Sequence, residues 1–270
     1  MTANTPLRAL ACAVLMGSAA TLHAEIRTEV IDYTVEGEQF TGYLAYDDSI
    51  SGERPGVLVV HEWWGHNDFA RDRAEALARE GYTAFALDMY GTGRQADHPD
   101  DAQQFMQAVM SDMDVAEARF RAAMEVLQNH ETVDPNRIAA QGYCFGGAVV
   151  LHMARRGVDL AGVVSLHGAL GGGEPPEPGT ITARIQVYTG GADPMVPPSQ
   201  VAGFVEEMQT AGADFSLVSY PDVLHSFTSP AADDYAEEFG MPVGYDEHAD
   251  QHSWQGLTRF YEELFGTGRQ

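Results

Sequence analysis

Residues able to do chemistry gather around Cys144. It stands in Gly142-Tyr-Cys144-Phe-Gly146-Gly, between an apolar stretch at 137–140 and a helical pattern over 146–155. A nucleophile held on a sharp strand-to-helix turn needs glycine two residues to either side, because side chains there would strike the adjoining strand and helix. The following helix points its N-terminus at the sulfur, which favours thiolate over thiol. Partners follow in the order acid, then histidine. Asp193, in Gly190-Gly-Ala-Asp193-Pro, comes just after the apolar stretch 185–189, and His225, in Leu224-His225-Ser-Phe, just after 215–220. Asp193 is expected to fix the His225 tautomer, and His225 to hold the thiol proton. A fourth segment, His61-Glu62-Trp63-Trp64-Gly65, follows the run 56–60. The loop at that place supplies one oxyanion-binding N–H and the residue after the nucleophile supplies the other, which assigns them to Trp63 and Phe145. His61, Glu62 and His66 have no zinc-site spacing and no accompanying thiolate, so no metal is expected. Water is the only second reactant such a site needs, so no cofactor is expected either.

The elements that must position these residues alternate. Two amphipathic stretches at 28–35 and 40–46 flank Gly37 and predict a β-hairpin. Continuous apolar runs at 56–60, 82–87, 160–166 and 185–189 predict strands buried on both faces, with a short strand at 137–140 and another at 215–220. Helical spacing covers 68–80, 146–155, 199–211 and a closing helix bearing Trp254, Leu257, Tyr261 and Leu264. The stretch 101–129 reads as two helices, broken where Ser111-x-x-Asp114 resembles a capping box. Strand–helix alternation implies an α/β fold with a mostly parallel central sheet and helices on both faces. No repeat or composition break divides it, so one domain is expected over 25–270.

Residues 1–24 carry Arg8, an alanine-rich apolar run from Leu10 to Leu22, and Ala24 before the polar Glu25. That is the layout of a secretory signal peptide, too short for a membrane span. The mature chain is therefore expected in the periplasm or outside the cell, as a monomer or small homo-oligomer. Of the two cysteines, Cys12 falls in this segment, which leaves Cys144 without a disulfide partner. The formal net charge is −25 and all 15 basic residues are arginine. Such a surface repels nucleic acid and anionic membranes and suits high salt, where carboxylate repulsion is screened.

Glu62 in His-Glu-Trp-Trp-Gly, the Gly-Tyr-Cys144-Phe-Gly-Gly turn, Asp193 after Gly-Gly-Ala, and His225-Ser-Phe together resemble the dienelactone hydrolase family of α/β-hydrolases, from about residue 27 to residue 265. The resemblance implies an ester or lactone hydrolase with a Cys144–His225–Asp193 triad and a thioester intermediate. It also implies that Glu62, a buried carboxylate touching the cysteine, helps to generate the thiolate, and that Ser226 contacts substrate. The family's type members hold a substrate carboxylate with an arginine on the helix after the Asp88 strand. Residues 101–117 contain none, and Arg94 and Arg119 are the nearest cations. With Trp63, Trp64 and Phe105 nearby, a small uncharged or apolar ester or lactone is the expected substrate. A broader carboxylesterase, an acyltransferase, or a non-catalytic ligand-binding relative stay open as alternatives.

Overall fold

The computed structural model describes Met1, residues 25–173 and residues 175–266; the expected signal peptide and Cys12 lie outside the described residues. β1 (Ile26–Val35) and β2 (Glu38–Asp47) form the predicted hairpin across Glu36 and Gly37, paired from Ile26–Asp47 to Val35–Glu38. β2 runs antiparallel to β4 (Thr83–Leu87), and every later pairing is parallel. β3 (Arg54–Val60), β5 (Val133–Tyr143), β6 (Gly162–Leu166), β7 (Arg184–Gly190) and β8 (Phe215–Tyr220) complete an eight-stranded sheet of order β1-β2-β4-β3-β5-β6-β7-β8.

Every residue of β3, β4 and β6 is buried, which is why 56–60, 84–87 and 162–164 are apolar without alternation; the polar members Arg54, Thr83 and Ser165 are buried as well. One face packs on α3 (Met113–Gln128), α4 (Phe145–Arg155) and α5 (Pro198–Ala211), with Phe120, Leu127, Val149 and Phe204 in the core. The other packs on α1 (Asp68–Arg79) and α7 (Glu247–Phe265) through Ala74, Leu77, Leu257 and Tyr261. Among the described residues no helix is long and apolar enough to cross a membrane.

Three local expectations are corrected. The break between α2 (Pro99–Met110) and α3 is capped by Asp112, whose carboxylate accepts the N–H groups of Asp114 (3.0 Å) and Val115 (3.4 Å). Ser111 instead closes α2. An extended residue carrying a full negative charge serves the positive end of α3 better than a neutral hydroxyl. The strand expected at 137–140 extends to Val133–Tyr143, because Val133 regains pairing with Arg54 across a register shift. A further helix, α6 (Ala232–Phe239), went unpredicted: it is short, buries only Ala232 of its eight residues, and four of the eight are acidic.

Candidate active site

Cys144 sits between the end of β5 and the start of α4 with φ 52° and ψ −113°, a conformation that costs energy for any residue with a side chain. The flanking glycines make it sterically accessible. A Cβ on Gly142 would lie 2.1 Å from the Gly146 carbonyl oxygen, and one on Gly146 would lie 2.3 Å from that of Val60. Both obstacles are backbone, so neither position admits alanine without moving the strand or the helix. The Cys144 N–H is shared between the Leu166 carbonyl (3.0 Å) and Nδ1 of His167 (3.1 Å).

The loops beyond β7 and β8 meet beside this turn. Asp193 accepts the Met195 N–H on Oδ1 (2.8 Å) and His225 Nδ1 on Oδ2 (2.7 Å). Both partners are buried, and His225 Nε2 is left without a hydrogen bond of good geometry. Burial opposes a charged His225 ring. Its interactions with Cys144 and the Asp193 hydrogen bond outweigh it and push the ring above its ordinary range. Among the described residues, neither the Trp63 nor the Phe145 N–H donates to a backbone carbonyl, so both remain available to a ligand.

Glu62 is 2 % exposed, and its Oε1 accepts the Ser226 hydroxyl at 3.1 Å. Burial raises its carboxyl to about 7, although His225, the Ser226 hydroxyl and Arg73 favour the charged form. His61 is committed to structure. Its Nε2 accepts the Met89 N–H (3.1 Å), so the proton is on Nδ1, which donates to the Glu62 carbonyl at 2.5 Å. Among the described residues no three His, Cys, Asp or Glu side chains converge as a metal site.

Cys144, His225 and Ser226 open on a cavity of about 400 Å³ walled by Trp63, Trp64, Phe145, Ala148, Ala169, Val196, Tyr235, Val243 and four methionines, Met106, Met110, Met195 and Met241. No lysine, arginine, aspartate or glutamate lines it. Two expected substrate contacts fall elsewhere. Arg94 lies at the surface, paired with Glu38 (2.7 Å) and donating to the Tyr90 carbonyl. Arg119 also binds Glu38 (2.8 Å). Phe105 packs on Tyr90 with ring centroids 5.7 Å apart, and the next residue, Met106, faces the cavity. Residues one apart on a helix differ by about 100° in direction, so a small error in facing exchanges one for the other. Unanticipated from sequence were the methionines, Tyr235 packed at a tilt of 32° on Trp64 with ring centroids 4.2 Å apart, and His167. His167 follows the C-terminal end of β6 as Asp193 and His225 follow β7 and β8, and that shared position was the available signal.

The profile of the dienelactone hydrolase family matches residues 40–265. Among solved structures, the dienelactone hydrolase-like promiscuous phosphotriesterase P91 from metagenomic libraries is 32% identical, with a TM-score of 0.83 over 90% of this chain and 100% of its own. The structure called m3DLH is 35% identical, with a TM-score of 0.84 over 89% of this chain and 99% of its own. A protein of Aquifex aeolicus (strain VF5), provisionally named carboxymethylenebutenolidase, is 24% identical over 238 residues, 87% of this chain and 97% of its own length. The likeness thus spans the sheet, the loops at its C-terminal edge and the cavity they enclose: the chain belongs to the dienelactone hydrolase family, whose members are α/β-hydrolases.

Proposed function

We propose that this protein hydrolyses uncharged, apolar esters or lactones with Cys144 as nucleophile. The observation that carries the reading is the buried Asp193–His225 hydrogen bond, with His225 Nε2 unpaired beside Cys144 at the wall of an apolar cavity. The sulfur attacks the carbonyl carbon, and the developing oxyanion accepts the N–H groups of Trp63 and Phe145. His225 then gives its proton to the departing alkoxide, leaving a thioester on Cys144. Water adds to that thioester while His225 takes its proton, and the carboxylic acid leaves as the thiolate re-forms. The apolar run before Glu25 supports export of the mature chain. Mixing the enzyme with a p-nitrophenyl ester and quenching within milliseconds tests the chemistry: the peptide containing Cys144 gains the mass of the acyl group. An acyl group on any other residue would remove Cys144 from this role.

The cavity wall sets the substrate class. A carboxylate on the acyl chain would lose its hydration with no cation to receive it, a cost of several kcal/mol. A neutral aryl ester is therefore expected to exceed its carboxylate-bearing analogue in kcat/KM by roughly 100-fold. Equal values would mean that Arg94 or Arg119 leaves Glu38 and reaches the substrate.

Glu62 is suited to take the thiol proton when substrate arrives and to pass it to His225, which delivers it to the departing alkoxide, since a buried carboxyl poised near neutrality can both accept and release a proton. It also burdens the fold in a pH-dependent way. Its carboxyl is held near 7 in the native state against 4.5 when free. The native state thus binds more protons between these values, and stability falls as pH rises from 4.5 to 7. Glu62→Gln removes that penalty. The variant is expected to unfold with a free energy up to about 3 kcal/mol higher than the parent at pH 8 and nearly equal to it at pH 4, while its acylation rate drops. Urea titrations at both pH values decide; a gap independent of pH would contradict the raised carboxyl.

A further inference from the structure

His167 has no role in the steps above, yet it is tied to both halves of the machinery. It is fully buried and held at φ 42°, a left-handed conformation that side-chain-bearing residues seldom adopt. Its Nδ1 accepts the backbone N–H of Cys144 at 3.1 Å. A ring that accepts there and stays neutral carries its proton on Nε2, and Nε2 faces Thr228 Oγ1 at 2.8 Å. Thr228 is three residues beyond His225, and its carbonyl accepts Arg73 Nη2 at 2.6 Å. The His167 and His225 rings meet edge to face with centroids 5.3 Å apart. A cationic His167 would lose its acceptor and would repel the imidazolium that His225 must form. Burial first, then the charges of His225 and Arg73, hold it in the neutral form.

We propose that His167 is the positioning residue of the nucleophile: as the Nε2–H tautomer oriented by Thr228, it grips the Cys144 peptide N–H and so aims the sulfur at His225 and the substrate carbon. This rests on the thiol-hydrolase reading above. The Leu166 carbonyl shares the same N–H, so the turn keeps one acceptor when the ring is replaced, and the sulfur is misdirected while the fold persists.

Two replacements separate this role from packing. His167→Phe fills the same space with no acceptor, whereas His167→Asn places an amide oxygen near the position of Nδ1. For p-nitrophenyl ester hydrolysis, His167→Phe is expected to lower kcat by about 30- to 100-fold with KM within about threefold, since small misplacement of a reacting atom falls on kcat. His167→Asn is expected to recover most of that loss. Equal losses in the two variants, or a loss confined to KM, would overturn the proposal. Thr228→Val against Thr228→Ser checks it without touching the ring: valine, which cannot accept the Nε2–H, is expected to reduce kcat and serine to preserve it. This pair decides if the His167 variants do not fold. The rate of Cys144 alkylation by iodoacetamide at pH 7 reads the same geometry with no ester present, and is expected to follow the order wild type, Asn, Phe. If Cys144→Ala retained ester hydrolysis, the thiol-hydrolase reading would fail, while the alkylation order would still judge His167.

Discussion

Cys144→Ala is expected to lower kcat for aryl ester hydrolysis by roughly 10⁴-fold or more while changing folding stability by under about 1 kcal/mol. The two halves of this expectation come from different features. Cys144 is only half-buried, and what holds the turn is backbone: the close packing of Gly142 and Gly146 and the sharing of the Cys144 N–H between Leu166 and His167. None of these uses the sulfur, so alanine keeps the turn. The chemistry does use it, since no other side chain on the cavity wall offers a thiol. The Trp63 and Phe145 N–H groups survive the change, so a small residual rate above that of water is expected. Stopped-flow or steady-state assays with matched melting curves measure both halves. Hydrolysis at an undiminished rate by a folded variant would make Cys144 a structural cysteine and point to water activated directly by His225.

Asp193→Asn is expected to cost about 10³- to 10⁴-fold in kcat for a reason specific to its two hydrogen bonds. The carboxylate accepts on both oxygens, from the Met195 N–H and from His225 Nδ1. An amide has one oxygen. If that oxygen keeps the Met195 N–H, the NH₂ group is turned to His225 Nδ1, and the ring must carry its proton on Nε2. Nε2 is the atom that faces Cys144 and must be free to accept, so the variant holds the wrong tautomer at correct geometry. KM should change little, because Asp193 is buried and absent from the cavity wall. A comparable loss in Asp193→Ala, together with retained activity in Asp193→Asn, would show that occupancy of the site and not its charge is what matters.

The parts of this architecture legible in the sequence are those set by local sterics and by continuous burial. Glycine at 142 and 146 is dictated by backbone within 2.3 Å of where a Cβ would stand, and such exclusion shows directly in spacing. The wholly buried strands show as the apolar runs 56–60, 84–87 and 162–164 for an equally direct reason. What escaped was decided by contacts between distant segments. Arg94 binds Glu38, 56 residues away, and no local pattern reveals that a hairpin carboxylate will claim it. Acidic α6 rests on Trp64 through Tyr235 and Phe239, a contact between segments far apart in the chain. That Met106 and not Phe105 faces the cavity is set by the packing of α2, which places Phe105 against Tyr90, a residue of a different segment. His167 stands in Leu-His-Gly, a setting with no motif, and only the register of β6 beside β5 brings it under Cys144.

Three of the four methionines that line the cavity come from α2 and from the turn after α6, segments that carry no member of the proposed triad. Met195 differs, since its N–H is bonded to Asp193. Selectivity and reactivity are therefore written on largely separate stretches of chain. Flexible thioether side chains tolerate replacement by residues of similar volume at small cost. Lineages descending from such a protein can wander through substrate space by successive changes at 106, 110 and 241 while their bond-breaking chemistry stays fixed, and a laboratory library confined to those three codons should yield altered acyl preferences without dead enzymes.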